Sequence, residues 1–213
     1  MGLFGSLFGG GKKSESGLPR EIEKMFEQIA RFMQDEKLQN ASYPPQLKNQ
    51  LVSGYDGDEL QNAVGDFGRT EKNPIPVNGP VGELIYLSSL VTEDGEEILF
   101  HRLGSINQID IYETVSIDGK KWDVLFFSLY HPRKSKKAPT GYSISTDRDK
   151  PAIFGTNDKI DNFPYDLRRA IMKTTKEMFG VPMPPPQVEQ AEQSVKFQRT
   201  GDHEDRVRSL DVM

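Results

Sequence analysis

The feature that most constrains this chain is a run of strand-like segments broken by Asp-Gly dipeptides. Asp94-Gly95 and Asp118-Gly119 supply the positive backbone angles that tight hairpin turns require, and β-prone residues flank both of them. A chain with this pattern favours neighbouring antiparallel strands, joined in sequence order as a meander. The predicted strands cover residues 83–91, 97–103, 109–117 and 121–130, with a possible fifth strand at 142–145.

Helical periodicity appears on either side of this predicted sheet. Apolar residues recur every three or four positions from Ile22 to Met33, which predicts an amphipathic helix over residues 19–38. A second helix is predicted over residues 164–179, because Gly180 directly follows its last apolar position. Shorter helices are predicted at 46–52 and 59–64. The predicted fold class is therefore α+β: a four- or five-stranded, mainly antiparallel sheet with the N- and C-terminal helices packed on one face.

Proline-rich segments set the limits of the predicted domain. Residues 71–80 contain three prolines, so this segment is expected to be extended and to cover a sheet edge. The tail begins with VPMPPPQ and is largely polar, so little fixed structure is expected there beyond a marginal helix near 188–197. The predicted organisation is a flexible leader at 1–18, a single α+β domain at 19–180, and a proline-rich linker with a largely disordered tail at 181–213.

Charge is distributed unevenly along the chain, which has a net charge of −5. Residues 51–125 carry 14 acids and 5 bases, whereas residues 131–176 carry 11 bases and 5 acids. This asymmetry predicts a polarised surface. The chain has no cysteine, which excludes disulfides and thiolate chemistry, and its longest apolar run is far below the roughly 20 residues that span a bilayer. We expect a cytoplasmic protein that is not secreted and that can sit peripherally at a membrane.

One carboxylate falls on the apolar side of a predicted strand. The segment IDIYETVSI at 109–117 alternates regularly, and Glu113 shares a face with Ile111 and Val115. A two-residue turn at Asp118-Gly119 would place Glu113 opposite Val124. A carboxylate in such a position must find a partner or take up a proton.

His101 is the predicted partner of Glu113. If residues 104–108 join the two strands, His101 lies opposite Ile111, one diagonal from Glu113, and Arg102 faces Asp110 on the other side of the sheet. A buried glutamate beside a histidine can carry out general acid and base chemistry. The same pairing is also typical of a structural ion pair, and the sequence leaves both interpretations open.

A basic loop and the last predicted helix together offer a candidate anion-binding surface. Phosphates of nucleic acids or lipid headgroups are the ligands that such a surface would bind. The acidic balance of the whole chain makes nucleic acid the less favoured partner. The candidate residues are Arg133, Lys134, Lys136, Lys137, Arg168, Arg169, Lys173 and Lys176.

The first fourteen residues, MGLFGSLFGGGKKS, form a small amphipathic pattern. Four apolar side chains fall within about 140° of a helical wheel, and two lysines follow them. Met1-Gly2 with Ser6 also fits the pattern for N-myristoylation. Four apolar side chains give only marginal membrane affinity. The predicted use is therefore transient docking to a membrane surface or a protein. The docking residues are Leu3, Phe4, Leu7, Phe8, Lys12 and Lys13.

Two functional interpretations follow from these features. The first is a non-enzymatic binding or adaptor module with a polarised surface, a peripheral N-terminal docking element and an unidentified protein partner. The alternative is a small hydrolase or transferase that acts on an anionic substrate through His101 and Glu113. No cofactor is predicted, and the three histidines of the chain are too scattered to predict a metal site.

Overall fold

Helices and strands are mixed along residues 20–145 and 152–210, the part of the chain that the computed structural model describes. The strands are β1 (Ile75–Pro76), β2 (Leu90–Thr92), β3 (Ile98–Ile106), β4 (Ile109–Ser116), β5 (Trp122–Ser128), β6 (Tyr142–Ile144) and β7 (Gly155–Thr156). The helices are α1 (Arg20–Gln34), α2 (Glu36–Ser42), α3 (Pro45–Ser53), α4 (Gly79–Ser89), α5 (Leu167–Phe179), α6 (Pro186–Ser194) and α7 (Gly201–Ser209). The predicted α+β class is confirmed.

The main sheet is mixed and is not the predicted antiparallel meander. Its strand order is β1-β5-β4-β3-β7, in which β3, β4 and β5 are antiparallel neighbours. The two edge strands, β1 and β7, run parallel to β5 and β3 respectively. The predicted fifth strand is β6, but it pairs with β2 in a separate two-stranded sheet. Hairpin turn signals reveal antiparallel neighbours only, whereas parallel edge strands arrive through long connections that carry no such signal.

The first predicted strand, at 83–91, is mostly the helix α4. Eight of the eleven residues of α4 are buried, so its side chains show no polar face and therefore no helical periodicity in the sequence. A short apolar run of this kind can be a buried strand or a buried helix. Gly79 takes a φ of 77° and Pro80 follows it in the first turn, which favours a helix start at this point.

The central sheet has two covered faces. The first face presents Phe100, Tyr112 and Phe127, and α4 packs on it with the Tyr86 and Phe127 rings 5.8 Å apart. On the second face, Leu103, Ile111, Val124 and Phe126 form a smaller apolar cluster, and Val207 of α7 packs against it. A helix covering this second face was not predicted, because α7 lies in the segment that was expected to be largely disordered.

The C-terminal segment is ordered by contacts with the rest of the fold. Val188 and Ala191 of α6 are buried in the main core, and so is Phe197 in the link to α7. Thr200 caps α7 by accepting a hydrogen bond from the backbone N–H of His203. Low hydrophobicity predicted disorder here, but a few well-spaced apolar residues and a set of ion pairs hold the segment in place.

The other helix predictions have mixed outcomes. The predicted helix at 19–38 is two helices, because Asp35 accepts hydrogen bonds from the N–H groups of Lys37 and Leu38 and starts α2. The helices at 46–52, 164–179 and 188–197 correspond to α3, α5 and α6, and Gly180 ends α5 with a φ of 79°. The helix predicted at 59–64 is wrong: Asp58 accepts hydrogen bonds from Arg133 and from the N–H of Lys136, and residues 59–64 form bends and turns.

Candidate functional site

Glu113 occupies the centre of a buried polar cluster on the second face of the sheet, and its side chain is 0% exposed. Its Oε2 accepts a hydrogen bond from His101 Nε2 at 2.8 Å, and its Oε1 accepts one from His203 Nε2 at 2.8 Å. Arg199 donates to both oxygens, from Nε at 2.6 Å and from Nη2 at 2.7 Å. A carboxylate has about four acceptor positions, so these four bonds use all of them.

The strand register explains why His101 reaches Glu113. These two residues are direct partners in the β3–β4 pair, whereas the sequence predicted His101 opposite Ile111. A bulge between Arg102 and Gly104 shifts the register, and the connection is a turn at Asn107 and Gln108, both with positive φ, instead of a five-residue loop. The predicted pairing of Glu113 with Val124 is confirmed, and so is the contact between Arg102 and Asp110.

The hydrogen bonds of His101 fix its tautomer. The backbone N–H of Ile160 donates to His101 Nδ1 at 3.0 Å, so this nitrogen carries a lone pair and Nε2 carries the proton. Burial lowers the pKa of His101, although the bond to Glu113 opposes this effect. The ring of His101 also stacks on Phe163, with 4.2 Å between centroids. His101 is thus a neutral donor whose only lone pair is already engaged.

The charge of Glu113 is fixed by its donors. Burial opposes ionisation, but the hydrogen bonds from His101, His203 and Arg199 outweigh burial and hold the pKa of Glu113 well below its usual range. Glu113 and the partly exposed Arg199 then form an ion pair flanked by two imidazoles. Because all acceptor sites of Glu113 are occupied and His101 is only 1% exposed, this arrangement favours the structural interpretation of the pair over acid–base catalysis.

Intramolecular carboxylates neutralise much of the predicted anion-binding loop. Arg133 donates to Asp56 at 2.7 Å and to Asp58 at 2.6 Å, and its hydrogen bond lowers the pKa of Asp58. Lys137 pairs with Glu59, and Lys136 contributes its backbone N–H to Asp58 while its side chain is exposed. The acidic and basic halves of the sequence therefore meet inside one molecule.

Other members of the predicted basic surface are also paired. Lys134 donates to Glu36 at 3.0 Å, and burial lowers the pKa of this lysine. On α5, Lys173 pairs with Asp158 at 2.7 Å and Arg168 lies 3.5 Å from Glu189. Arg169 and Lys176 are exposed on the same helix. The structure thus brings the loop and helix bases to separate acidic partners and does not gather them at one anion site.

Glu83 is a second buried glutamate, and it lies on α4, which packs against the first face of the sheet. Tyr112 Oη is 3.0 Å from Glu83 Oε2 and 2.8 Å from Asn157 Oδ1, and both of these oxygens can accept a hydrogen bond. Burial, followed by the nearby charge of Asp110, raises the pKa of Glu83 well above its usual range. Burial therefore favours the neutral form of Glu83, in which the carboxylic hydroxyl can donate to Tyr112 while the Tyr112 hydroxyl donates to Asn157.

A serine and a histidine meet at the end of β5. Ser128 Oγ lies 2.9 Å from His131 Nε2, and His131 Nδ1 lies 2.8 Å from the carbonyl oxygen of Tyr55. A carbonyl only accepts, so Nδ1 carries the proton of the neutral ring and Nε2 accepts from the serine hydroxyl. Burial lowers the pKa of His131, which keeps the ring neutral. His131 thus presents a lone pair to a hydroxyl, the reverse of the orientation of His101.

Three exposed large apolar residues lie in the two segments that meet at this serine and histidine, 52–55 and 128–131. Val52 is 68% exposed, Tyr55 41% and Tyr130 36%. Tyr55 and Tyr130 are neighbours, because Gly54 packs its backbone directly against the Tyr130 carbonyl with no space for a side chain. We call Val52, Tyr55 and Tyr130 the α3 patch.

No family model, curated protein or solved structure matches this chain. Function is therefore inferred from the geometry of these sites alone, since a fold by itself does not determine an activity. Within residues 20–145 and 152–210, no group of three or more His, Asp or Glu side chains is arranged to hold a metal ion.

The predicted N-terminal docking residues, Leu3 to Lys13, lie outside the described residues, so their role stays a prediction. In the described ranges, no helix is both long and apolar enough to cross a membrane.

Sequence reasoning missed several residues of these sites. Arg199 and His203 were overlooked because they fall in a polar segment that was expected to lack fixed structure. Ser128 and His131 are three residues apart at a strand end, a spacing that carries no recognisable signal in the sequence. Glu83 stands in an otherwise apolar run, and that isolated charge was the one visible indication of a buried acid.

Proposed function

We propose that this protein is a protein-binding or adaptor module that uses the α3 patch as its contact surface. The observation that carries the proposal is that Val52, Tyr55 and Tyr130 are all exposed and belong to two segments whose backbones meet at Gly54 and Tyr130. Contiguous exposed apolar surface is typical of interaction sites, and tyrosine is enriched at the centres of protein interfaces. The expected partner is a protein segment with an apolar or aromatic face.

The α3 patch is held in a defined shape. The Tyr55 carbonyl accepts a hydrogen bond from His131, and the Tyr55 ring lies directly against Gly57, where a side chain would collide with it. The backbone contact between Gly54 and Tyr130 ties the two ends of the patch together. Such preorganisation lowers the entropy lost on binding.

The alternative interpretation, an enzyme acting through His101 and Glu113, has less support. Both side chains are buried, and Arg199 and His203 occupy the acceptor sites that a reacting group would need. The basic residues that would hold an anionic substrate are largely paired with carboxylates. The predicted N-terminal docking element is compatible with the adaptor proposal, as a second point of attachment.

The proposal is tested by photo-crosslinking followed by a binding measurement. A photoreactive residue at position 55 should capture a specific protein in cells of the source organism, whereas the same residue at position 165, also an exposed tyrosine, should not. The captured protein is then purified, and its affinity is measured for wild type, for Val52→Ser/Tyr55→Ser and for Tyr165→Ser. We expect at least a tenfold loss for the double variant only. Equal affinities for all three proteins would contradict the proposal.

A further inference from the structure

The seam between α3 and β5 contains a reactive arrangement as well as an apolar surface. Ser128, His131 and the Tyr55 carbonyl form a continuous hydrogen-bonded line, with distances of 2.9 Å and 2.8 Å. From this geometry we infer that Ser128 and His131 form a nucleophilic dyad that is acylated by activated carboxylic esters. This inference goes beyond the proposed binding function and does not depend on a protein partner.

The roles of the three groups follow from their hydrogen bonds. The Tyr55 carbonyl holds the proton of His131 on Nδ1, so Nε2 is the basic nitrogen. Nε2 receives the Ser128 hydroxyl bond, which places the base at the proton it must remove. A nucleophile, a base and a third group that orients the base are the elements of an activated hydroxyl. The carbonyl takes the orienting role that a carboxylate has in a catalytic triad.

His101 and His131 use their ring nitrogens differently. His101 donates its Nε2 proton to a carboxylate, and its other nitrogen is occupied by the Ile160 N–H. In His131, Nε2 carries a lone pair and faces the Ser128 hydroxyl, so this nitrogen can take up the serine proton. The same residue type is therefore a structural donor at one position and a general base at the other.

The burial of the dyad also suits this role. His131 is 6% exposed, which excludes water from the base, whereas Ser128 is partly exposed at the end of β5. Tyr55, whose carbonyl bonds His131, and Tyr130, which lies between Ser128 and His131 in the sequence, are both exposed. These rings favour an ester with an apolar or aromatic group.

The acylation step requires only the ester, Ser128 and His131. Ser128 Oγ attacks the carbonyl carbon of the ester, and His131 Nε2 takes the hydroxyl proton. The new Oγ–C bond forms as the C–O bond to the leaving group breaks, and His131 passes the proton to the leaving alkoxide or phenoxide. The products are an acylated Ser128 and a free alcohol or phenol, with His131 neutral again.

The first test treats the full-length protein with p-nitrophenyl acetate and locates acetyl groups by mass spectrometry. We expect stoichiometric acetylation of Ser128 in wild type and in Ser143→Ala, which removes an exposed serine on β6. Ser128→Ala should lose the acetyl group, and His131→Gln should slow acetylation at least 100-fold while circular dichroism shows a retained fold. Folded wild type that is not acetylated at Ser128 would overturn the inference.

A second test remains decisive if a Ser128→Ala protein fails to fold. The chain has no cysteine, so Ser128→Cys and Ser143→Cys each create a single thiol. With His131 as its base, the thiol at position 128 should react with iodoacetamide at least tenfold faster than the thiol at position 143. Adding His131→Gln should remove the difference. Equal rates for the two folded cysteine variants would overturn the inference.

Discussion

Two glutamates at the centre of this fold have pKa values shifted in opposite directions, although both are completely buried. Glu113 accepts four hydrogen bonds, two of them from the charged Arg199, and these bonds hold its pKa well below the usual range. Glu83 has one hydroxyl neighbour and the negative charge of Asp110 nearby, and burial together with this charge raises its pKa well above the usual range. The difference comes from the partners and not from the degree of burial.

Replacing Glu83 by Gln should stabilise the protein at neutral pH. Above the ordinary glutamate pKa of 4.5, the unfolded chain releases a proton that folded Glu83 keeps. The stabilisation is fully present below that pH, and about 1.4 kcal/mol is lost per pH unit as the pH rises toward the folded pKa. Glu83→Gln has no such loss, and its amide can still donate to Tyr112. Urea unfolding between pH 4.5 and 8 measures the difference.

The same substitution at Glu113 is the matched comparison and should have the opposite sign. Glu113→Gln leaves Arg199 without its counter-charge, which we expect to lower the free energy of unfolding by about 3–5 kcal/mol. Because the folded pKa of Glu113 is depressed, its contribution is present above pH 4.5 and is lost as the pH falls below that value. If both variants shift stability in the same direction, the assigned protonation states are incorrect.

At the scale of elements, α7 is held to the sheet mainly by polar contacts. Arg199 and His203 bind Glu113, and Arg206 lies 3.4 Å from Asp123 and donates to the carbonyl oxygens of residues 69 and 124. Apolar contacts from Val207 and Leu210 add to these bonds. The helix therefore depends on a few named side chains.

Arg199→Ala should release α7 from the sheet. It leaves the buried charge of Glu113 without its ionic partner, so a loss of about 2–4 kcal/mol is expected, below the full value for a buried pair because Arg199 is 30% exposed. Arg208→Ala is the control, because Arg208 is 74% exposed and its pair with Glu204 lies on the surface. Hydrogen exchange of the α7 amides should accelerate in the first variant only. Equal exchange in both variants would show that Arg199 does not hold the helix.

Sequence reasoning succeeded where a signal is local. The hairpin at Asp118-Gly119 set the β4–β5 register correctly, and Gly180 marked the end of α5. It failed for α4, whose burial on all sides erased the amphipathic pattern, and for α7, whose order comes from long-range ion pairs. The contact between His101 and Glu113 was predicted, but the bulge after Arg102 was not, so the register differed by two residues.

At the scale of the whole molecule, the acidic and basic segments of the sequence form ion pairs with each other. Acidic residues 56–59 pair with basic residues 133–137, about half the domain later in the chain. A surface that looked polarised in the sequence is thereby partly neutralised. Such pairs contribute little to stability individually, but they determine which charges remain available to ligands.

Removing the carboxylates that pair with Arg133 should create an anion-binding surface. Asp56→Asn/Asp58→Asn frees Arg133, and we expect this variant to elute from heparin at higher salt than wild type. Glu93→Gln/Asp94→Asn is the control, because it removes the same number of charges from an exposed turn. If both variants shift equally, net charge and not the release of Arg133 controls binding.

The distance along the chain between Glu113 and its donors also orders events during synthesis. Arg199 and His203 follow Glu113 by 86 and 90 residues. At about 5–20 residues per second, a ribosome adds them roughly 4–18 s after Glu113. During that interval the β3–β4 hairpin has only His101 as a donor for its carboxylate, and the cluster around Val124 and Phe126 lacks its helical cover. The nascent protein therefore exposes the apolar second face of its sheet to solvent and to chaperones until α7 is synthesised and packs on it.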